Sequence, residues 1–300
     1  MVDASSSNMP LRWDSLIGAL RPRQWTKNLV VLAAFFFALG DRSQQISPAA
    51  LLQTLAAMAL FTLTAGGVYV FNDLRDRAHD RLHPVKCRRP IAAGRLSVRA
   101  ALVLGTGCLT LGLLGGFLLQ PLFALILSIY VVLQAVYTLY LKQVHLLDVF
   151  MIAIGFVLRA VAGGLAAAVA ISPWLVICTF LLALFLALCK RRHELQTAPQ
   201  ARPNLRSGSA ALLDQLIAVT AGAVIVAYAV YTQWPETLAK FGTHQLYLTI
   251  PFVVFGVFRY LDLVYNHDCG GQPEELLLTD TPLLINLALF AVTALVVMLL

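Results

Sequence analysis

Charge is scarce in this sequence. Only 12% of its 300 residues are Asp, Glu, Lys or Arg, where a soluble domain carries roughly 25%. Hydrophobic residues make up 59%, and the mean hydropathy is +0.79. This balance excludes a water-soluble fold and leaves no room for a separate soluble domain, so residues 1–300 read as one transmembrane domain. Paired cysteines are lacking as well. Cys87, Cys108, Cys178, Cys189 and Cys269 are scattered with no CxxC, and three of them lie in apolar runs where cysteine acts as a small hydrophobe. Neither zinc nor a disulfide framework is implied, and His145, His193, His244 and His267 share no ligand spacing. The stretch Met1 to Arg12 has no basic segment followed by an apolar core, so no cleavable signal peptide is expected and residues 1–13 read as a polar tail. Although the net charge is +7, apolar runs interrupt the basic residues, which form no continuous face for nucleic acid. Anionic lipid headgroups or a phosphorylated substrate fit that charge better.

What the sequence does contain is a series of apolar runs, each about 17 to 25 residues and long enough to cross a bilayer. They predict an all-α, polytopic membrane protein of about nine transmembrane helices, near 24–40, 49–71, 97–118, 121–141, 146–170, 173–190, 208–232, 245–264 and 281–300. The first is the least regular. Arg21, Arg23 and Lys27 crowd its start, and Pro22 and Trp25 place that start at the membrane interface. With the amino terminus cytoplasmic, the inside collects Arg12, Arg21, Arg23, Lys27, the basic set from Arg75 to Arg99, Lys142, the set from Lys190 to Arg206, and Arg259. The outside receives only Arg42 and Lys240, so the positive-inside rule puts the carboxyl terminus outside. The longer polar loops, 72–96, 191–207 and 265–280, then face the cytoplasm, where the chemistry is expected.

The most informative stretch runs from Tyr69 to Asp80. An apolar span leads directly into Asn72, Asp73, Asp76 and Asp80, and at 100° per residue the three aspartates share one helix face. Carboxylates so placed repel one another unless a cation sits among them, and hard oxygen ligands suit Mg²⁺ bridged to substrate phosphates. The simpler alternative is a solvated helix cap in which Arg75, Arg77 and Arg81 pair with the acids. Just downstream, Lys86, Arg88 and Arg89 lie within reach of the acidic face. Acids for a metal and bases for phosphate oxygens are the two halves of a diphosphate site. Tyr137 to Lys142 and Lys190-Arg-Arg-His-Glu194 end two other spans on the same side. Their cations are either snorkelling anchors or phosphate ligands, and the second cluster is denser than anchoring requires. Arg159 lies deep within its apolar run, a costly position that demands a cavity or a partner on a neighbouring helix.

The pattern Asn72-Asp73-x-x-Asp76-x-x-x-Asp80 at the end of the second span resembles the first acidic motif of the UbiA-type intramembrane prenyltransferase superfamily. Within it, the chain is most similar to decaprenyl-phosphate phosphoribosyltransferases. The similarity is carried by Arg21-Pro-Arg-Gln-Trp-Thr-Lys-Asn28, Arg89-Pro-Ile-Ala-Ala-Gly94, Tyr137 to Lys142, Lys190-Arg-Arg-x-Glu194, Arg259-Tyr260 and Gly270-Gly-Gln-Pro-Glu-Glu275. One departure is informative: aromatic prenyltransferases carry a second DxxxD motif after the sixth span, where this chain has Lys190-Arg-Arg-His-Glu194.

The resemblance implies a UbiA-like bundle and a Mg²⁺-dependent transfer of a phosphoribosyl group from phosphoribosyl diphosphate to a polyprenyl monophosphate for envelope polysaccharide precursors. It implies Asp73, Asp76 and Asp80 as catalytic metal ligands, with Asn72 as a further metal ligand and substrate contact. Lys27, Lys86, Arg89, Lys142, Lys190 and Arg191 become the candidates for the phosphates, and Tyr137 and Glu194 for hydroxyl contacts or orientation. The lipid chain would lie in a groove open sideways to the membrane of an inner (plasma) membrane protein. Two rivals remain at this stage: a prenyltransferase acting on an aromatic acceptor, which the missing second acidic motif disfavours, and a transporter of a phosphorylated lipid, for which no inverted repeat is visible. An oligomer is possible, since Gly112, Gly115 and Gly116 could pack within or between chains.

Overall fold

A computed structural model of the chain describes residues 13–83, 85–197, 209–267, 270–271 and 273–300. The expected tail up to Arg12, Cys269 and Gln272, and the basic set beyond Thr197 as far as Arg206, fall outside the described residues. All regular structure among the described residues is helical. A backbone in hydrocarbon must satisfy its own polar groups, and apolar runs of this length do so as helices.

Short helix α1 (Trp13–Ala19) is followed by a 3-10 helix over Pro22–Leu32 and then α2 (Ala33–Ala38). Eight helices are long and apolar enough to cross a membrane. They are α3 (Ala50–Leu82), α4 (Val98–Leu119), α5 (Pro121–Leu139), α6 (Leu147–Ala166), α7 (Pro173–Thr197), α8 (Ser209–Gln233), α10 (Ile250–Asn266, extended at its start by a 3-10 turn from Gln245) and α12 (Thr281–Leu299). Short α9 (Pro235–Phe241) and α11 (Pro273–Thr279) sit between them. Nine spans are expected from the sequence and eight such helices are found among the described residues: the first, near 24–40, is instead an interrupted helix, 3-10 and then α. At about 2.0 Å of rise per 3-10 residue it still covers about 30 Å.

The interrupted helix lies against α3 and α6. Its approach to α6 is so close that a Cβ at Gly163 would fall 1.7 Å from the Val31 carbonyl oxygen, so only glycine fits there. One apolar cluster joins α3, α5 and α6 around Phe61, Phe123 and Tyr130, and another joins α6, α7, α8 and α10 around Phe185, Leu213 and Tyr260. Gly112, Gly115 and Gly116 are used within the chain, where they receive Thr64, Leu60, and Leu127 with Phe123.

Two helices run well past the apolar segments read from the sequence. At about 1.5 Å per residue, α3 is about 50 Å long, so its last three turns, with the acids, project beyond a hydrocarbon core of about 30 Å. Helix α7 likewise carries Lys190 to Glu194 on its final turns. The start of α1 lies at this acidic end and the end of α12, where Met298 meets Gly40, lies at the far end.

Candidate active site

The aspartates do share a face, but the residues that meet them are remote in sequence. Asp73 is 2% exposed and is paired with both Arg21 and Arg89, the latter at 2.9 Å. The same Arg89 Nη1 lies 2.7 Å from Asp80 Oδ2, so one guanidinium nitrogen joins two carboxylates. Asp76, more exposed, is held by Lys142 Nζ at 2.7 Å. Asn72 Oδ1 accepts from Thr138 Oγ1 at 2.7 Å. The capped-helix alternative is not what forms. Arg75 reaches the Leu139 carbonyl at 3.5 Å and Arg81 Nε donates to the Ala92 carbonyl at 3.1 Å, and neither pairs with a carboxylate of the motif. Three acids are instead balanced by three cations, Arg21, Arg89 and Lys142.

Each cation is delivered by a local device. His83 ends α3 in an extended conformation, as the residue before a proline must. Its Nδ1 accepts from the Val85 and Lys86 N–H groups, and burial followed by the Lys86 charge holds the imidazole below its usual pKa. The Arg89 to Leu96 turn is closed by Ala93 N–H to the Arg89 carbonyl and Leu96 N–H to the Pro90 carbonyl. Gly94 supplies the positive φ that this turn needs, and Ile91 and Leu96 pin it into a small core with Ala19, Val70 and Ala101. Lys142 comes from the 3-10 turn that follows α5. Arg21 adopts a left-handed backbone (φ 52°) at the start of the interrupted helix, and its guanidinium lies 5.1 Å from the Tyr69 ring centroid.

A second group lies where α6 begins and α7 ends. Arg191, 5% exposed, has Nε 2.6 Å from Asp148 Oδ2, Nη1 2.5 Å from Glu194 Oε2 and Nη2 3.4 Å from the Tyr137 hydroxyl. This expected phosphate ligand is thus committed to carboxylates and fixes α6 to α7, because a buried cation needs paired acceptors. Arg192 pairs with Asp214 and stacks 4.0 Å from the Tyr265 centroid. Lys190 is half-buried on α7, Lys27 half-buried on the interrupted helix, and Lys86 exposed at the turn after α3. Arg21, Thr138 and Asp148 are not among the site residues expected from the sequence, although Arg21 and Thr138 fall within stretches that carry the family resemblance. For Arg21 the available signal was its place beside Pro22 at the membrane interface.

Among the described residues no group of three or more His, Cys, Asp or Glu is arranged to hold a metal. The donors nonetheless fit Mg²⁺, which is usually bound by one or two carboxylates together with substrate phosphates rather than by an all-protein cage. Asp73 and Asp80 already converge on one point, the Arg89 nitrogen, and both offer hard oxygen.

With this geometry in place, comparison with known proteins is informative. A decaprenyl-phosphate phosphoribosyltransferase of Corynebacterium glutamicum is 34% identical over 278 residues, covering 89% of this chain and 81% of that one. The protein of the same name from Mycolicibacterium smegmatis is 33% identical over 277 residues, covering 88% and 86%. In fold, the chain is similar to a UbiA homolog from Archaeoglobus fulgidus whose structure was solved with GPP and Mg²⁺. The TM-score is 0.70, at 19% identity, over 95% of this chain and all of that one. The profile of the UbiA prenyltransferase family matches residues 29–269, which span the acidic end of α3, the Arg89 turn and both carboxylate-held arginines of α7. This multi-pass membrane protein is a transferase that belongs to the UbiA prenyltransferase family.

Proposed function

We propose that the chain transfers the 5-phosphoribosyl group of phosphoribosyl diphosphate to a polyprenyl (decaprenyl-like) monophosphate, releasing diphosphate, at the cytoplasmic face of an inner membrane. The observation that carries this reading is the alternation of acids and bases at the end of α3: Asp73, Asp76 and Asp80 interleaved with Arg21, Arg89 and Lys142. The end of α7 supports it, since Arg191 and Arg192 stand there between carboxylates and form no second acidic motif. The similarity to two bacterial decaprenyl-phosphate phosphoribosyltransferases agrees with it.

Asp73, Asp76 and Asp80, with Asn72 beside them, are the residues that would hold Mg²⁺, which when bound supplies charge neutralisation on the leaving diphosphate. Arg21, Arg89 and Lys142 stand among these acids and bind phosphate oxygens of the donor, with Lys27, Lys86 and Lys190 as further ligands for the 5-phosphate and the lipid phosphate. Fixed cations aimed at a departing diphosphate act where charge develops. Arg191 serves indirectly by orienting Tyr137 and Glu194 toward the ribose hydroxyls. The acceptor phosphate is anionic at neutral pH, so the chain supplies no strong base. Attack opposite the leaving group inverts the anomeric carbon and gives a β-linked product. The apolar tail stays in lipid beside the helices, which spares its transfer into water.

The test is to incubate purified protein with Mg²⁺, phosphoribosyl diphosphate labelled in the ribose, and polyprenyl phosphate, and to count the organic phase. Label is expected in the lipid fraction. Unlabelled lipid together with turnover of a prenyl diphosphate onto an aromatic acceptor would replace this reading with the prenyltransferase one.

A further inference from the structure

The segment that carries Arg21 and Lys27 meets a buried cation that has no carboxylate partner among the described residues. Arg159 is 4% exposed on α6, about 18 Å along the helix from its acidic end. Among the described residues no carboxylate lies within 4 Å of it. Its Nε donates to Asn28 Oδ1 at 2.8 Å, Nη1 to the Gly155 carbonyl at 2.8 Å, and Nη2 to the Tyr130 hydroxyl at 3.1 Å. The rings of Phe61, Tyr130 and Phe156 surround its guanidinium at 4.9 to 5.2 Å, which stabilises a desolvated cation. Asn28, itself 2% exposed, uses its other end to donate to Thr62 Oγ1 on α3 at 2.9 Å. A continuous path therefore runs from α6 through Asn28 to α3, the helix that bears the acids.

The interrupted helix needs such an anchor. Hydrogen-bond geometry in a 3-10 helix is poor, runs beyond three or four residues are uncommon, and this one extends over 11 residues. Arg21 at its start has a backbone conformation that L-residues disfavour. The segment's own backbone does not fix its height against α3.

We infer that Arg159 is a positioning residue: through Asn28 it locks the interrupted helix to α6 and α3, and so sets where Arg21 and Lys27 stand relative to Asp73. Its kinetic consequence rests on the phosphoribosyl-transfer reading; its structural consequence does not, and the experiment reads the two separately.

The kinetic arm compares Arg159→Met, Asn28→Ala and the double variant. Displacement of Arg21 and Lys27 is expected to raise KM for phosphoribosyl diphosphate about 10- to 100-fold and KM for polyprenyl phosphate, to which only Lys27 of the two is assigned, by a clearly smaller factor. Because both substitutions break one path, the double variant should be no worse than the more damaging single one; multiplying effects would overturn the proposal. Equal loss on both substrates, in step with lowered thermal stability, would reduce Arg159 to a purely structural role and also overturn it.

The structural arm uses a cysteine-free background carrying Arg23→Cys and Glu275→Cys, sites whose native side chains meet at 2.7 Å near the start of the interrupted helix. A short bis-thiol crosslinker should join them efficiently in the parent and poorly once Arg159 is Met. Equal yields would overturn the latch even in a protein that transfers no phosphoribosyl group. Should Arg159→Met fail to accumulate, Asn28→Ala carries both arms.

Discussion

Replacing Arg89 with alanine should have an effect whose size follows from the geometry. Its Nη1 lies 2.9 Å from Asp73 Oδ1 and 2.7 Å from Asp80 Oδ2, and those side chains are only 2% and 5% exposed. Asp73 keeps Arg21, but Asp80 has no other cation among the described residues. Two carboxylates about 5 Å apart repel by about 3 kcal/mol at an effective dielectric of 20, in line with the roughly 3–5 kcal/mol cost of removing one partner from a buried pair. Arg89→Ala should therefore unfold roughly 6–12 °C below the wild type in EDTA, taking roughly 2–4 °C per kcal/mol for a chain of this size. Mg²⁺ added with diphosphate should recover part of that loss in the variant and shift the wild type less, because a divalent cation can bridge the same oxygens. The assay is thermal unfolding in detergent, with and without EDTA. Equal unfolding temperatures in EDTA would show that the carboxylates do not feel Arg89. A deficit that Mg²⁺ and diphosphate leave untouched would remove these acids as metal ligands.

Asp73→Ala and Asp76→Ala should each abolish transfer while the protein still inserts in the membrane, and near-normal turnover of either in the labelled-lipid assay would dismiss the metal role. Arg191→Met removes the buried guanidinium that Asp148 and Glu194 share, so it should lower stability by about 3 kcal/mol, whereas Tyr137→Phe, which loses only a 3.4 Å contact, should unfold with the wild type; equal stability of the two variants would refute the ranking. At the far end, burial pushes the Asp41 carboxyl up, but hydrogen bonds from Ser43, Gln44 and Lys240 more than offset it and hold it below 3.8. A depressed folded-state value stabilises above the ordinary carboxylate value and is lost as pH falls through the folded one. The gap in unfolding temperature between wild type and Asp41→Asn should thus hold from neutral pH down to about 4 and narrow below it; a gap independent of pH would sink that reading.

How much of this was legible before the fold was known depends on what each feature requires. The eight long helices could be read because any apolar run of about 20 residues in lipid has almost no alternative to a helix. The interrupted first helix was legible in place but not in kind, since apolar content does not separate 3-10 from α geometry. The shared face of Asp73, Asp76 and Asp80 needed only helical periodicity. Of their partners, Arg89 follows closely enough in sequence to be read as a base within reach of the acids, whereas the pairings of Arg21, 52 residues from Asp73, and Lys142, 66 residues from Asp76, lie beyond any local rule. The nearer cations, Arg75 and Arg81, point to backbone carbonyls instead. Depth alone marked Arg159 as needing a partner, but an asparagine 131 residues away is not what a search for opposite charge would find.

These cases share a physical cause. In a chain so poor in charge, each buried cation must be neutralised or solvated by whatever the fold brings to it, and the two modes used here have different consequences. Arg89 and Lys142 are held by carboxylates that an incoming cation can compete for, so their pairing is open to exchange on substrate binding. Arg159 is held by an amide, a carbonyl, a phenol and aromatic faces, none of which a metal or a phosphate at the acidic end can displace. The bundle thereby separates an exchangeable charge network at the end of α3 from a fixed one that keeps the interrupted helix in register.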